Sequence, residues 1–298
     1  MHILVAGWFS FEHMGNSAGD MIARDTVCNW LREASVTYDV AVADPFPFQG
    51  GVNIESADPS KYTDVLFVCG PFGNGSPITE MLSRFAHCRL IGVNLTLLHT
   101  LEQWNPFTLL YERDSSRQSN PDIAFFASPS KVPIVGKILI EGQAEYGKRD
   151  ISKMAHEAIE LFIQSREISV VNIDTVLENN KGSLRSPGEI ESLIAKMDVV
   201  ITTRLHGTVL ALKNGVPVIP IDPVEGGAKI SRQVEAISWP LLLQGDNLND
   251  KSISDAFTFC LTEEAKIKAM QCAERAVNII DNIRIKFIKE VGEFKKLV

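Results

Sequence analysis

Arg204 and His206 lie two residues apart in the run Thr203-Arg204-Leu205-His206-Gly207. A guanidinium can hold a carboxylate or phosphate through two parallel hydrogen bonds. An imidazole moves protons near neutral pH. Gly207 would let a ligand come close to the backbone. The surrounding segment, 198–222, reads as strand, turn, helix, strand, with a helix over 208–213 ended by Asn214-Gly215. That order puts the turn at the carboxyl edge of a sheet and at a helix N-terminus, where free N–H groups and the helix dipole attract anions. The plainer reading has Arg204 capping a carbonyl and His206 packing. The two types together at one strand end favour anion binding with proton transfer. Lys229, just past Gly226-Gly227 and the next strand, is a further cation for the same edge, or else an ordinary solvated lysine.

Other loops carry weaker signals. Residues 7–19 join a strand to a helix without the G-x-G-x-x-G spacing. Asn16, Ser17 and Asp20 there either cap the helix or meet a ligand, and capping is the simpler reading. Residues 69–77 follow a strand and include Gly70 and Gly73, which either turn the chain or approach a ligand. Arg113 heads Arg113-Asp114-Ser115 after another strand, where a surface charge pair is the plain reading. His13 and His99 are ambiguous, and His2, His87 and His156 read as structural or exposed. The five cysteines form no C-x-x-C pair and no zinc spacing, so they read as buried thiols and no metal site is expected.

The elements that must position these residues alternate. Strands are expected at 2–6, 38–43, 64–69, 90–95, 109–112 and 123–126, with helices at 18–33 and 77–85. A second set follows: strands at 134–140, 169–173, 198–203 and 216–221, and helices at 151–165, 186–196 and 208–213. The helix at 186 opens on Ser186-Pro187-Gly188-Glu189, an N-cap, a first-turn proline and a capping box. A long amphipathic helix begins at 263. Strands alternating with helices imply parallel sheets. With 298 residues, 45% of them apolar, the chain can build two cores. The Ser-Pro-Ser-Lys-Val-Pro stretch within 127–132 is the expected break. The expected fold class is α/β, with two Rossmann-like doubly wound domains facing each other across a cleft. Residues 1–127 form the first, joined by the C-terminal helix 263–298, and 128–262 form the second.

A net charge of −8 argues against nucleic acid as a partner, while a few local cations still suffice for a small anion. The opening residues lack a basic leader region, and no run reaches the length of a membrane span, so a cytoplasmic protein without stable membrane insertion is expected.

At residues 186–229 the sequence resembles the polysaccharide pyruvyl transferase family. The residues that carry the resemblance are Thr203-Arg204-Leu205-His206-Gly207, then Ala211-Leu212, then Gly215-Val216-Pro217-Val218-Ile219, with Ser-Pro-Gly-Glu-Ile before them. Weaker matches are Asn16 to Asp20, Arg113-Asp114-Ser115, Asp122-Ile123-Ala124-Phe125 and Lys229. The chain departs from the family pattern at Gly70-Pro71-Phe72-Gly73, where a triple glycine is usual, and in the extra residue of Asn-Ser-Ala-Gly-Asp. The resemblance implies a GT-B-like fold, phosphoenolpyruvate as co-substrate without a cofactor, and a sugar or lipid-linked oligosaccharide acceptor. It implies a ketal product in cell-surface polysaccharide biosynthesis. A lipid-linked acceptor would bring the protein transiently to the inner face of the membrane. His206 would be the acid/base. Arg204, Lys229, Gly207 and Arg113 would bind the donor, with Asn16, Asp20, Gly70 and Gly73 in the cleft. Two other readings stand beside this one. One is a GT-B glycosyltransferase using a nucleotide sugar, with Glu225 gripping a ribose. The other is a non-catalytic binding protein on the same fold. Acceptor and oligomeric state are not fixed by the sequence.

Overall fold

The computed structural model describes residues 1–294, which divide into two units, Met1–Ser130 and a second from Lys131 onward. The first holds β1 (His2–Gly7), α1 (Ala18–Glu33), β2 (Thr37–Val40), β3 (Asp64–Phe72), α2 (Ile78–Arg84), β4 (Arg89–Leu97) and β5 (Leu109–Tyr111). The strands form one parallel sheet in the order β2-β1-β3-β4-β5. Alternate residues of a strand point to opposite faces, so Ile3 and Val5 pack with Val27 and Cys28 of α1. Leu4 and Ala6 pack on the other face with Ile78 and Met81 of α2. Burial on both faces explains the unbroken apolar run of β3. The start of α1 is a capping box: Ser17 Oγ accepts from the Asp20 N–H, and the Asp20 carboxylate accepts from the Ser17 N–H at 2.8 Å.

The strand expected at 123–126 is instead a short 3-10 helix, Ile123–Phe125. Asp122 decides this, because its carboxylate accepts from the Ala124 N–H at 2.8 Å and turns the backbone out of an extended course.

The second unit holds β6 (Ile134–Ile138), α3 (Ser152–Gln164), β7 (Ser169–Asn172), α4 (Pro187–Ile194), β8 (Val199–Thr202), α5 (Leu205–Lys213), β9 (Val218–Asp222), α6 (Lys229–Ile237), β10 (Leu243–Gln244), α7 (Asp250–Cys260) and α8 (Glu263–Phe294). Its sheet is also parallel, in the order β10-β9-β8-β6-β7. Numbered within their own units, both sheets read second, first, third, fourth, fifth strand. The direction of winding therefore reverses between β1 and β3, and again between β6 and β8. Ligands of open parallel sheets bind beyond the carboxyl ends of the strands at such a reversal. The two parallel α/β units are those expected from the alternation of elements.

The C-terminal helix α8 begins in the second unit. Its opening turns pack on α5, α6 and α7, with Ala265, Ala269 and Cys272 buried in the core of the second unit. Small side chains on that stripe let the helix lie close. Residues 295–298 of the expected element fall outside the described residues. Among the described residues no helix is long and apolar enough to cross a membrane.

Candidate functional site: the β8–α5 turn

Thr202 and Thr203, both fully buried, tie the end of β8 to the end of β6. Thr202 Oγ1 donates to the Ile138 carbonyl at 2.8 Å and accepts from the Arg204 N–H at 3.0 Å. Thr203 Oγ1 accepts from the Ile140 N–H at 2.9 Å. Arg204 follows, with Nε donating to the Leu139 carbonyl at 3.1 Å and Nη1 at 3.5 Å from Thr175 Oγ1. Three successive residues, the last of β6 and the two after it, thus hold the turn at the point where the sheet reverses. Arg204 Nη2 has no partner among the described residues. The half-buried Arg204 lines a cavity of about 610 Å³ with Leu139, His156, Asn172, Asp174 and Lys181.

The helix starts three residues earlier than its apolar spacing predicts. Arg204 is the N-cap of α5, so Leu205, His206 and Gly207 form its first turn. No side chain caps this helix, whereas Ser186 caps α4 and Asn249 caps α7. The first-turn N–H groups of α5 therefore have no side-chain acceptor, and their partial positive charge is not offset by a cap. The next helix on the same edge differs. Asp222, at the end of β9 and 1% exposed, accepts from the N–H groups of Ala228 and Ser231 at 2.7 and 2.9 Å. The chain's own carboxylate fills the start of α6, and α5 is left as the anion-attracting end.

The predicted residues separate at this point. His206 is exposed on the first turn of α5 and does not line the Arg204 cavity. Gly207 is buried, and a Cβ there would fall 2.1 Å from Thr202 Oγ1. Close packing of α5 on β8 is enough to require glycine here. Lys229 is the first residue of α6, 3.6 Å from Glu145 and over the Tyr146 ring, so its charge is partly matched within the protein.

The remaining candidates belong to the first unit. Each guanidinium nitrogen of Arg113 has an internal partner: Nε on Asp114 at 3.1 Å, Nη1 on Asp122 at 2.7 Å and Nη2 on Thr96 Oγ1 at 2.6 Å. These bonds brace the segment after β5. Gly70 has φ +80, and a Cβ there would meet the Trp8 indole at 2.5 Å; at Gly73 it would meet Leu98 at 2.9 Å. Both positions are glycine for packing. Asp20 serves its capping box, while the buried amide atoms of Asn16 have no partner among the described residues.

His156 is the group the sequence reading passed over. It sits in the early turns of α3, shares the cavity with Arg204, and its Nε2 lies 3.5 Å from Thr203 Oγ1. Burial pushes its pKa below the ordinary histidine value, against the pull of Glu160 and Asp150. Nothing near 156 in sequence announces this, because the cavity is made by strands far along the chain.

Beside Arg113, Glu112 is buried and pairs with Arg117. Burial alone would raise its pKa. The Arg117 fork, a backbone N–H and the Ser115 hydroxyl outweigh burial and hold it at about 2. A carboxyl depressed in the folded state stabilises fully above its ordinary value of 4.5, and that stabilisation drains away as pH falls towards 2. Arg117→Ala should therefore move the acid-unfolding midpoint to higher pH, followed by circular dichroism. An unchanged midpoint would show that Glu112 is not held by this pair.

Fold and site together define a two-unit parallel α/β protein with an anion-attracting turn at the reversal point of its second sheet. Residues 112–223, over a third of the chain and including that turn, match the model of the polysaccharide pyruvyl transferase family. No curated protein matches the chain. Among solved structures, a spinosyn rhamnosyltransferase complexed with thymidine diphosphate is similar at 12% identity, covering 93% of this chain and 96% of its own, with a TM-score of 0.33. A Methanocaldococcus jannaschii UDP-GlcNAc 2-epimerase in complex with UDP-GlcNAc and UDP is similar at 13% identity, covering 95% and 100%, with a TM-score of 0.30. A putative UDP-N-acetylglucosamine 2-epimerase from Listeria monocytogenes is similar at 12% identity, covering 96% of each chain, with a TM-score of 0.30.

Proposed function

We propose that this protein transfers pyruvate from phosphoenolpyruvate to two hydroxyls of a sugar, forming a ketal and releasing phosphate. The observation that carries the reading is Arg204, fixed by Nε to Leu139 beside the uncapped start of α5. The family match over residues 112–223 supports the same reaction class.

Phosphoenolpyruvate carries a carboxylate and a phosphate. The Arg204 fork and the first-turn N–H groups of α5 suit such a pair of anionic groups. One sugar hydroxyl adds at C2 and passes its proton to a phosphate oxygen, which later leaves as hydrogen phosphate, while C3 gains a proton. The second hydroxyl then forms its bond to C2 as the phosphate departs, and its proton is removed in turn. His206, exposed on the same helical turn, donates to C3 and afterwards accepts from the second hydroxyl. Lys229 adds positive potential at the neighbouring strand end. Developing charge on the phosphate is met by Arg204 and the helix start. The acceptor is a glycan, free or lipid-linked.

The test compares phosphate release from phosphoenolpyruvate, with a panel of sugar acceptors, in the wild type and His206→Ala. Turnover should fall by about 100-fold or more, with the thermal midpoint unchanged, since an exposed side chain contributes little to stability. Full activity in the variant would remove His206 from the mechanism. A thermal midpoint raised by a UDP-sugar but not by phosphoenolpyruvate would instead favour a nucleotide-sugar donor.

A further inference from the structure

Each unit, taken by itself, leaves one apolar surface bare among the described residues. The first is the end of α8. Past Ala276 the helix leaves the core of its unit, and residues 277–294 run on for about 27 Å at 1.5 Å per residue. Val277, Ile280, Ile283, Phe287, Ile288 and Val291 are each between 49% and 65% exposed. With Ile279 and Ile285 they leave roughly 800 Å² exposed around the helix, about one partner's share of a standard interface. The apolar residues occur on more than one side of the helix, which suits burial between protein surfaces. Asp281, Arg284, Lys286, Lys289 and Glu290 mix both signs, so the segment lacks the cationic face of a helix that lies on anionic lipid.

The second surface is in the first unit. Neither the connection from β4 to β5 nor the segment after β5 forms an α-helix, so α1 is the one α-helix on its face of the sheet, joined there by loop residues Phe46, Phe48 and Ile123. Parallel sheets are normally covered along both faces. The uncovered part is an apolar groove of about 670 Å³ lined by Val27, Trp30 and Leu31 of α1, Ile91 of β4, and Leu109 and Tyr111 of β5. Leu109 is 49% exposed and Tyr111 63%.

We propose that the protein is a reciprocal homodimer in which residues 277–294 of each copy seat in the groove beside β5 of the other. The arrangement supplies the helix that each sheet face lacks, and it covers the helix end that each chain leaves bare. A two-fold exchange repeats the same contact twice, so the pair closes and does not polymerise.

Sedimentation equilibrium at micromolar concentration should give twice the chain mass of 32.9 kDa. The helix variant Ile283→Glu with Phe287→Glu should sediment as a monomer. The groove variant Leu109→Glu should do the same. Mixing the two variants leaves one intact helix and one intact groove in complementary copies, so the mixture should associate again, more weakly than the wild type. Circular dichroism checks that each variant is folded, and Tyr111→Glu replaces Leu109→Glu should the latter unfold. A monomeric wild type overturns the proposal. So does a groove variant that stays dimeric, which would point to pairing of the helices alone, and so does a mixture that stays monomeric.

Discussion

Arg204→Ala should bind phosphoenolpyruvate about 100- to 1,000-fold more weakly than the wild type, because charge-assisted hydrogen bonds are worth roughly 1.5–3 kcal/mol each and the fork supplies more than one. Isothermal titration calorimetry measures this directly. Arg204→Lys is the more informative variant. It keeps the charge but loses the planar fork and the Nε bond to the Leu139 carbonyl that aims it. We therefore expect Arg204→Lys to recover only part of the loss, remaining about 10-fold or more below the wild type. Both variants should remain folded, since the turn is still held by Thr202 and Thr203. Wild-type affinity in Arg204→Ala would end the assignment of this turn as the donor site. Full rescue by lysine would mean that charge alone matters and the Leu139 anchor does not.

Gly207→Ala should destabilise the second unit by about 2–3 kcal/mol, the upper part of the usual range for overpacking a core. The added methyl would fall 2.1 Å from Thr202 Oγ1, 2.9 Å from Thr202 Cβ and 3.1 Å from Ile138 Cγ2. Thr202 cannot swing aside without giving up its bonds to the Ile138 carbonyl and the Arg204 N–H. The same movement would displace Arg204, so donor affinity should fall along with stability. Gly188, in the first turn of α4, is the control. A Cβ there meets only Ser186 Oγ at 3.9 Å, so Gly188→Ala should be neutral or stabilise by roughly 0.5–1 kcal/mol. Urea unfolding of both variants decides the matter, and equal midpoints would refute the packing account of Gly207.

The two predictions are linked through one local fact: α5 starts at Leu205. Apolar spacing pointed to a start at Thr208, because Arg204, Leu205, His206 and Gly207 looked like turn residues. The earlier start makes Arg204 an N-cap and puts His206 on a helical turn. It also gives Gly207 a packing reason, the contact of α5 with β8. Helix starts are hard to read where no Ser, Thr, Asp or Asn supplies a cap, and α5 has none.

Much of this protein follows from local order in the sequence. The alternation of β-branched runs with helical spacing determined the two parallel α/β units, because each strand buried on both faces must be apolar throughout. Arg204 and His206 were legible because a strand end followed by a helix start creates an anion-attracting edge from neighbouring residues alone. Tertiary structure decided the rest. Whether Arg113 is open or spent depends on Thr96, Asp114 and Asp122 meeting it, and whether the start of α6 is vacant depends on Asp222. His156 joins Arg204 only because α3 and β8 flank the same strand, β6. Each of these outcomes rests on contacts between segments distant in the chain, which spacing within one segment does not encode.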